Sequence, residues 1–277
     1  PEFLFGIDAN NNTWVDRFEN DVQPDFPYKR DHEGFNIYGG YHFTPEIRLT
    51  GGHMREELIS SDQRNYTTYG LLTVDADHPT WGRLRVMELL KSVEDDIADD
   101  VFQWDSRNTL RDNRNVEVLD PLLARDTWIN SFYIGHTFSP TQRLTFKNSI
   151  KHDLWNQRLN RSTRTKFGLN RNEFFFGILN KAEYSLELGI LRIQPRWKSE
   201  FRNQTYDLFT REKRKELREI FGSIVEMPLL RQTTAVVGVE YELFRDLAGK
   251  INNFQSFITA GQITNVANYQ GYVLTTQ

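Results

Sequence analysis

The chain has 277 residues, a formal net charge of −4, 38% hydrophobic and 26% charged residues, 13% aromatics and no cysteine. Without cysteine there is no disulfide, thiolate zinc site, iron–sulfur cluster or cysteine-attached haem, and the near-neutral charge argues against a nucleic-acid partner. The aromatic content is too high for a disordered chain, and no apolar run approaches the ~18 residues of a membrane helix.

The chain starts at Pro1 with no charged-then-apolar leader, so it reads as a processed or excised chain. From there the dominant period is two. A strand is predicted at 3–9, followed by a long polar stretch at 10–34. Phe35, Ile37, Gly39, Tyr41 and Phe43 then alternate with Asn36, Tyr38, Gly40 and His42. A turn at Thr44-Pro45-Glu46 leads to a return strand with Ile47, Leu49, Gly51 and His53 on the apolar side. Strands are expected at 65–75, 83–91 and 101–104, the last inside a polar stretch at 92–126.

A second hairpin places Trp128, Asn130, Phe132, Ile134, His136 and Phe138 on one face. It turns at Ser139-Pro140-Thr141-Gln142 and returns with Leu144, Phe146, Asn148 and Ile150 against Arg143, Thr145, Lys147, Ser149 and Lys151. The stretch 153–172 is polar, and 173–179 is a further strand. A third hairpin is predicted over 182–204 with its turn near Gln194-Pro195. Glu183 and Glu187 share its inward face with Arg196, Lys198, Glu200 and Arg202, while Trp197 and Phe201 face the other way. The charged run from Leu208 to Phe221 fits a short helix, a solvated loop or a long strand end. Ala235, Val237, Val239, Tyr241 and Leu243 alternate with Thr234, Val236, Gly238, Glu240 and Glu242, and strands at 255–264 and 269–276 close the list.

Several of these strands alternate for about ten residues, longer than the ~5–6 usual in globular proteins and matched to the ~9–11 of a tilted bilayer-crossing strand. Short turns alternate with long polar connections, and aromatic rings such as Trp128, Trp155 and Trp197 sit near strand ends.

In this pattern, and in the Phe43-Thr44-Pro45 and Phe138-Ser139-Pro140 turn motifs, the sequence resembles bacterial outer-membrane β-barrel proteins of the porin-like class. The resemblance implies an all-β, antiparallel transmembrane β-barrel of about 10–14 strands, with short turns on one rim and long loops on the other. It implies one domain over 1–277, localised to the bacterial outer membrane. The chain ends Leu274-Thr275-Thr276-Gln277, without the terminal aromatic common in that class, as a fragment lacking its terminal strand would.

Arg143, Lys147, Lys151, Arg196, Lys198 and Arg202 would line the lumen with Glu183, Glu187 and Glu200. Such a basic ladder favours small anionic solutes, such as phosphate-bearing or acidic sugar compounds. The alternative is that these cations pair with Glu183, Glu187, Glu200, Glu240 and Glu242 and fill the lumen, the commoner outcome for such a face. The expected role is a passive channel or the membrane scaffold of a larger complex, with the lipid bilayer and a protein within or beside the barrel as partners.

No catalytic site or cofactor is expected. Gly-x-Ser-x-Gly, His-Glu-x-x-His and phosphate-loop motifs are missing. His136 and Ser139 fall on opposite strand faces. Asp95, Asp96, Asp99 and Asp100 read as a solvated acidic loop rather than a hydrolase rim or a Ca²⁺ site. The six histidines are scattered, and His42 and His53 fall on opposite faces, so no metal site is expected. The rival reading is a secreted soluble β-sandwich that binds carbohydrate or a protein partner, with apolar side chains buried and polar ones outward.

Overall fold

The computed structural model describes residues 32–97, 100–104, 115–119, 124–205, 213–230, 233–248, 257–259, 262–264 and 268–276. The predicted strand at 3–9, most of the stretch 10–34 and Asp99 lie outside them.

The strands are β1 (His32–His42), β2 (Ile47–Leu58), β3 (Arg64–His78), β4 (Gly82–Asp95), β5 (Asp100–Trp104), β6 (Asn115–Leu119), β7 (Asp126–Thr141) and β8 (Leu144–Gln157). Then come the helix α1 (Arg161–Phe167) and β9 (Asn172–Tyr184), β10 (Leu186–Leu188), β11 (Leu191–Gln204), β12 (Arg214–Leu230) and β13 (Thr233–Asp246). The series ends with β14 (Phe257–Thr259), β15 (Gln262–Thr264) and β16 (Asn268–Thr276).

The fold is all-β. One antiparallel sheet runs in the order β1-β2-β3-β4-β7-β8-β9-β11-β12-β13-β16, with β10 paired to β11. The pairs β5-β6 and β14-β15 stand apart from it. Each long strand therefore bonds to the next long strand along the chain, the simplest way to satisfy backbone groups with local connections. β12 reaches 17 residues and β7 reaches 16, so the strands are as long as their alternation suggests.

Local chemistry sets the turns. Thr44 Oγ1 accepts from the backbone N–H of Glu46 (3.3 Å) and Ile47 (3.2 Å). Thr141 Oγ1 does the same for Arg143 (3.3 Å) and Leu144 (3.2 Å). The two hairpins therefore share a hydroxyl-capped turn. In the second, Ser139 and Pro140 remain inside β7, and the chain reverses at Gln142-Arg143. At the β3-β4 turn, Gly82 has φ +80°, and a Cβ there would lie 2.1 Å from the Thr137 carbonyl oxygen.

One expectation is corrected, and two open readings are resolved. The third hairpin reverses at Gly189-Ile190, not near Pro195, because Gly189 reaches φ +63° without strain. Pro195 sits within β11, between the part paired with β10 (to Ile193) and the part paired with β9 (from Arg196). A missing N–H is tolerated at such a break in the ladder. The run 208–221 enters a strand at Arg214, and Leu217 and Phe221 share one face of it while Ile220 lies on the other. Trp155 lies in β8, two residues from its end at Gln157, and packs on Val93, Ala124 and Ile129. The segment 158–171 adds α1, capped by Asn160, whose Oδ1 accepts from the Thr163 N–H at 2.9 Å, and ended by Gly168 at φ +68°.

The chain divides into two compact units that share several strands. The first comprises 1–74, 86–133 and 152–174, the second 75–85, 134–151 and 175–277. In the first, Met54 and Thr67 pair on one face, as do Thr50 and Leu71, while Leu49 pairs with Leu72 on the other. The buried face holds small apolar clusters: Tyr69, Leu71 and Leu89 with Met87 and Tyr133, and Val93, Ala124 and Ile129. Gly52 pairs with Tyr69, whose ring lies over it.

Candidate functional site

In the second unit, β11, β12 and β13 present one charged face. The register aligns Arg196 with Gly222 and Gly222 with Glu240, Lys198 with Ile220 and Ile220 with Glu242, and Glu200 with Arg218. Cross-strand partners share a face, so the even-numbered positions carry the cations Arg192, Arg196, Lys198, Arg202, Arg214 and Arg218. The same face carries Glu200, Glu216, Glu226, Glu240, Glu242 and Asp246, so the formal charges balance.

The pairing is direct. Glu200 is 4% exposed and holds Lys198 at 3.1 Å and Arg202 at 2.6 Å. Arg218 reaches Glu242 at 2.8 Å, Arg214 reaches Glu216 at 2.8 Å, and Arg192 approaches Glu226 at 3.6 Å. Arg196 spans two strand spacings to Glu240 at 2.9 Å. It does so across Gly222: a Cβ there would meet Glu240 Cγ at 3.2 Å and Arg196 Nε at 3.3 Å.

The residues singled out from sequence are brought onto this surface to different degrees. Arg196, Lys198, Glu200 and Arg202 share the face, as expected. Glu183 lies opposite Arg196 in register but pairs with Lys147 at 3.9 Å. Glu187 lies opposite Arg192 on β10. Lys151 stacks over the Phe175 ring at 5.9 Å. Arg143 is in the β7-β8 turn, where its carbonyl accepts from the Ser185 N–H at 2.8 Å. The geometry matches the pairing alternative on β11–β13: the basic residues there are met by carboxylates.

Sequence reasoning missed Arg192, Arg218, Glu226 and Lys181. Lys181 lies directly opposite Lys198. It also missed Arg158, which binds Asp126 Oδ1 at 2.6 Å, Ser92 Oγ at 2.9 Å and the Val93 carbonyl at 3.2 Å, and covers the Trp128 ring at 5.6 Å. Its signal was weak because its partners lie 32 and 65 or more residues away.

No protein-family model matches this chain, and no curated protein matches it. Among solved structures, the siderophore receptor PiuA from Acinetobacter baumannii is similar with a TM-score of 0.39 and 9% sequence identity, over 89% of this chain and 45% of that one. The chain thus spans less than half the length of that receptor.

In the first unit the buried face is also polar. Asn65, Thr67, Lys91, Asp95, Thr127, Asp153, Gln157 and Glu173 are all buried there. Thr127 donates to Gln157 Oε1 at 2.8 Å, Thr67 donates to Asn65 Oδ1 at 3.0 Å, and Ser131 donates to Asp153. Asp95 is not part of a solvated loop: it is 2% exposed and accepts from the Ile97 N–H at 2.9 Å. Asp96 pairs with Arg125 at 3.1 Å. Burial at the end of β4 is the reason, since an orphan N–H there needs an acceptor. Among the described residues no group of three or more His, Asp or Glu is placed to hold a metal.

In the first unit the opposite face is apolar and exposed: Ile37, Tyr41 and Phe43 are 59–67% exposed, and Leu49, Leu72, Leu90 and Trp128 exceed 36%. In the second unit Phe221, Val237 and Val239, on the face away from the paired charges, also exceed 36%. His136 and Ser139 do not meet: His136 Nε2 lies 2.7 Å from the Trp81 carbonyl oxygen, and Ser139 bonds Thr145 Oγ1 at 3.0 Å.

Proposed function

We propose that this chain is an outer-membrane β-barrel that serves as a passive channel or as the membrane scaffold of a larger complex. One observation carries the reading: the exposed face is apolar, while the buried positions are polar as often as apolar. Buried positions hold Lys91, Asp95, Asp153, Glu173 and Glu200, and the exposed face holds Leu, Val, Phe and Trp. Burying an aliphatic or aromatic side chain is worth roughly 1.5–3 kcal/mol, so a face of this kind in water forgoes a large stabilisation. Lipid removes that cost, and closure of the sheet satisfies its edge groups. A soluble sandwich buries its apolar face, the opposite arrangement.

Conduction through such a barrel needs no covalent step. Width and wall charge set selectivity. The balanced charges on β11–β13 predict weak discrimination there, with any anion preference set by Arg143, Lys147, Lys151 and Lys181.

The test is electrophoresis of the purified chain in cold SDS with and without boiling, followed by bilayer conductance. A heat-dependent shift with β-rich circular dichroism supports the membrane barrel. Conductance steps then favour the channel, and their absence favours the scaffold. No shift, with good solubility in the absence of detergent, overturns the membrane reading.

A further inference from the structure

The connection between β8 and β9, residues 158–171, holds the five cations Arg158, Arg161, Arg164, Lys166 and Arg171 and no carboxylate, in a chain whose net charge is −4. Its backbone is held at several points. Besides capping α1, Asn160 Oδ1 accepts from the hydroxyls of Ser162 at 2.8 Å and Thr163 at 3.0 Å. After the helix, the Leu169 N–H donates to the Arg164 carbonyl at 2.8 Å, and Leu169 itself is buried. Arg125 lies over the Phe167 ring at 4.0 Å, and the Gln157 N–H donates to the Arg171 carbonyl at 2.8 Å.

Two of the five cations are taken up in holding this shape: Arg158 by Asp126, Ser92 and Val93, and Arg164 by the Leu159 carbonyl, which accepts from its Nε at 3.2 Å. The other three are exposed and are not matched by carboxylates. Among the described residues Arg161 and Arg171 bond only through their backbones, and Lys166 meets only the Phe167 ring, at 5.6 Å. The carboxylates that reach this region are engaged: Asp96 by Arg125, Asp126 by Arg158 and Glu173 by Asn170.

We propose that this connection is a docking surface for a short anionic saccharide, sulfated or carboxylated, with Arg161, Lys166 and Arg171 as its charge contacts. Unmatched cations on an ordered frame select an anion and lower the entropy cost of holding it. The remaining exposed side chains here include Asn160, Ser162, Thr165 and Asn170, whose amides and hydroxyls donate to and accept from sugar hydroxyls. A protein partner wants an apolar anchor at the centre of its interface, and this segment exposes none, since Phe167 is half-buried and Leu169 buried. In a membrane barrel the long connections face outward, so the saccharide would arrive from outside. That placement rests on the membrane reading above; the binding itself is local and is measured without a membrane.

The experiment is calorimetric titration of the full chain in neutral detergent at low ionic strength. The probes are a sulfated hexasaccharide, hexagalacturonate as the carboxylated form, maltohexaose as the uncharged control and hexaglutamate as a stand-in for an acidic protein segment. Saturable binding of the sulfated or carboxylated probe is expected, with none of maltohexaose. The double variant Arg161→Gln/Arg171→Gln is expected to weaken it about tenfold, exposed ion pairs being worth about threefold each. Lys213→Gln, which removes an exposed cation from another connection, is expected to leave it unchanged. Arg161 and Arg171 are exposed, so the double variant keeps the fold, which circular dichroism verifies. No saturable binding of either anionic saccharide, equal binding of maltohexaose, no loss in the double variant, or an equal loss in Lys213→Gln overturns the proposal. Tighter binding of hexaglutamate overturns it in favour of an acidic protein partner. Saccharide binding without a gel shift leaves this surface standing and removes the membrane barrel; a gel shift without saccharide binding does the reverse.

Discussion

Gly52→Ala isolates one close approach in the sheet. A Cβ at Gly52 would lie 2.5 Å from both Cζ and Oη of Tyr69 and 2.9 Å from Cε1. Carbon atoms rest at ~3.5–4.0 Å, so the ring must move by about 1 Å. It has little room, being 6% exposed and packed with Leu71, Leu89, Met87 and Tyr133. Overpacking of this kind costs about 1–3 kcal/mol. Against it stands a gain of about 0.4–1 kcal/mol from the lower entropy of the unfolded chain. The net expectation is a loss of about 1–2 kcal/mol, or roughly 3–6 °C in melting temperature for a chain of this size. Far-UV circular dichroism melts in one detergent measure it, with Gly51→Ala as control. At Gly51 the nearest atom to a new Cβ is the Tyr69 carbonyl oxygen at 3.6 Å, an ordinary contact. Adding Tyr69→Phe to Gly52→Ala removes one of the two nearest atoms and is expected to recover part of the loss. If Gly52→Ala melts at or above the parent, or Gly51→Ala falls equally, the packing argument is refuted.

Glu200→Gln leaves Lys198 and Arg202 without their buried anion and is expected to cost about 2–4 kcal/mol, read from denaturant unfolding. Thr127→Val removes the donor to Gln157 in a fully buried setting and is expected to cost about 1–3 kcal/mol by the same measurement. Leu72→Lys on the exposed face is expected to cost about 2–4 kcal/mol in lipid vesicles, whereas on a water-exposed surface it stays within about 0.5 kcal/mol; refolding in vesicles of defined lipid separates the two. Arg158→Lys keeps the charge but loses the fork that reaches Asp126, Ser92 and Val93 together, and a lowered melting temperature is expected where a purely electrostatic role would leave it unchanged.

The faces of the sheet were legible in the sequence because alternation is a direct consequence of strand geometry. Phe35, Ile37 and Tyr41, or Val237 and Val239, needed no partner to declare their side. The pairing of Arg196, Lys198, Glu200 and Arg202 on one face followed from the same parity. What the sequence hid was anything set by a neighbouring strand. β12 was obscured because its first residues, Arg214 to Glu219, are charged on both faces, so parity carries no hydropathy signal. The third turn was misplaced because Pro195 is the louder signal, while Gly189 has the conformational freedom the reversal requires. Arg196 reaching Glu240 across Gly222 depends on a three-strand register that a single sequence does not display.

That strict parity also limits how such a chain can change length. Deleting one residue between Thr67 and Leu72 in β3 reverses the side of every residue beyond it and sends Leu72 among the buried polar groups. The error propagates to the next turn rather than staying local. Insertions and deletions in this lineage should therefore collect in the connections, such as 158–171, while the strands diverge by substitution alone. Two chains of this kind can then lose all recognisable sequence similarity and still keep the same strand spacing.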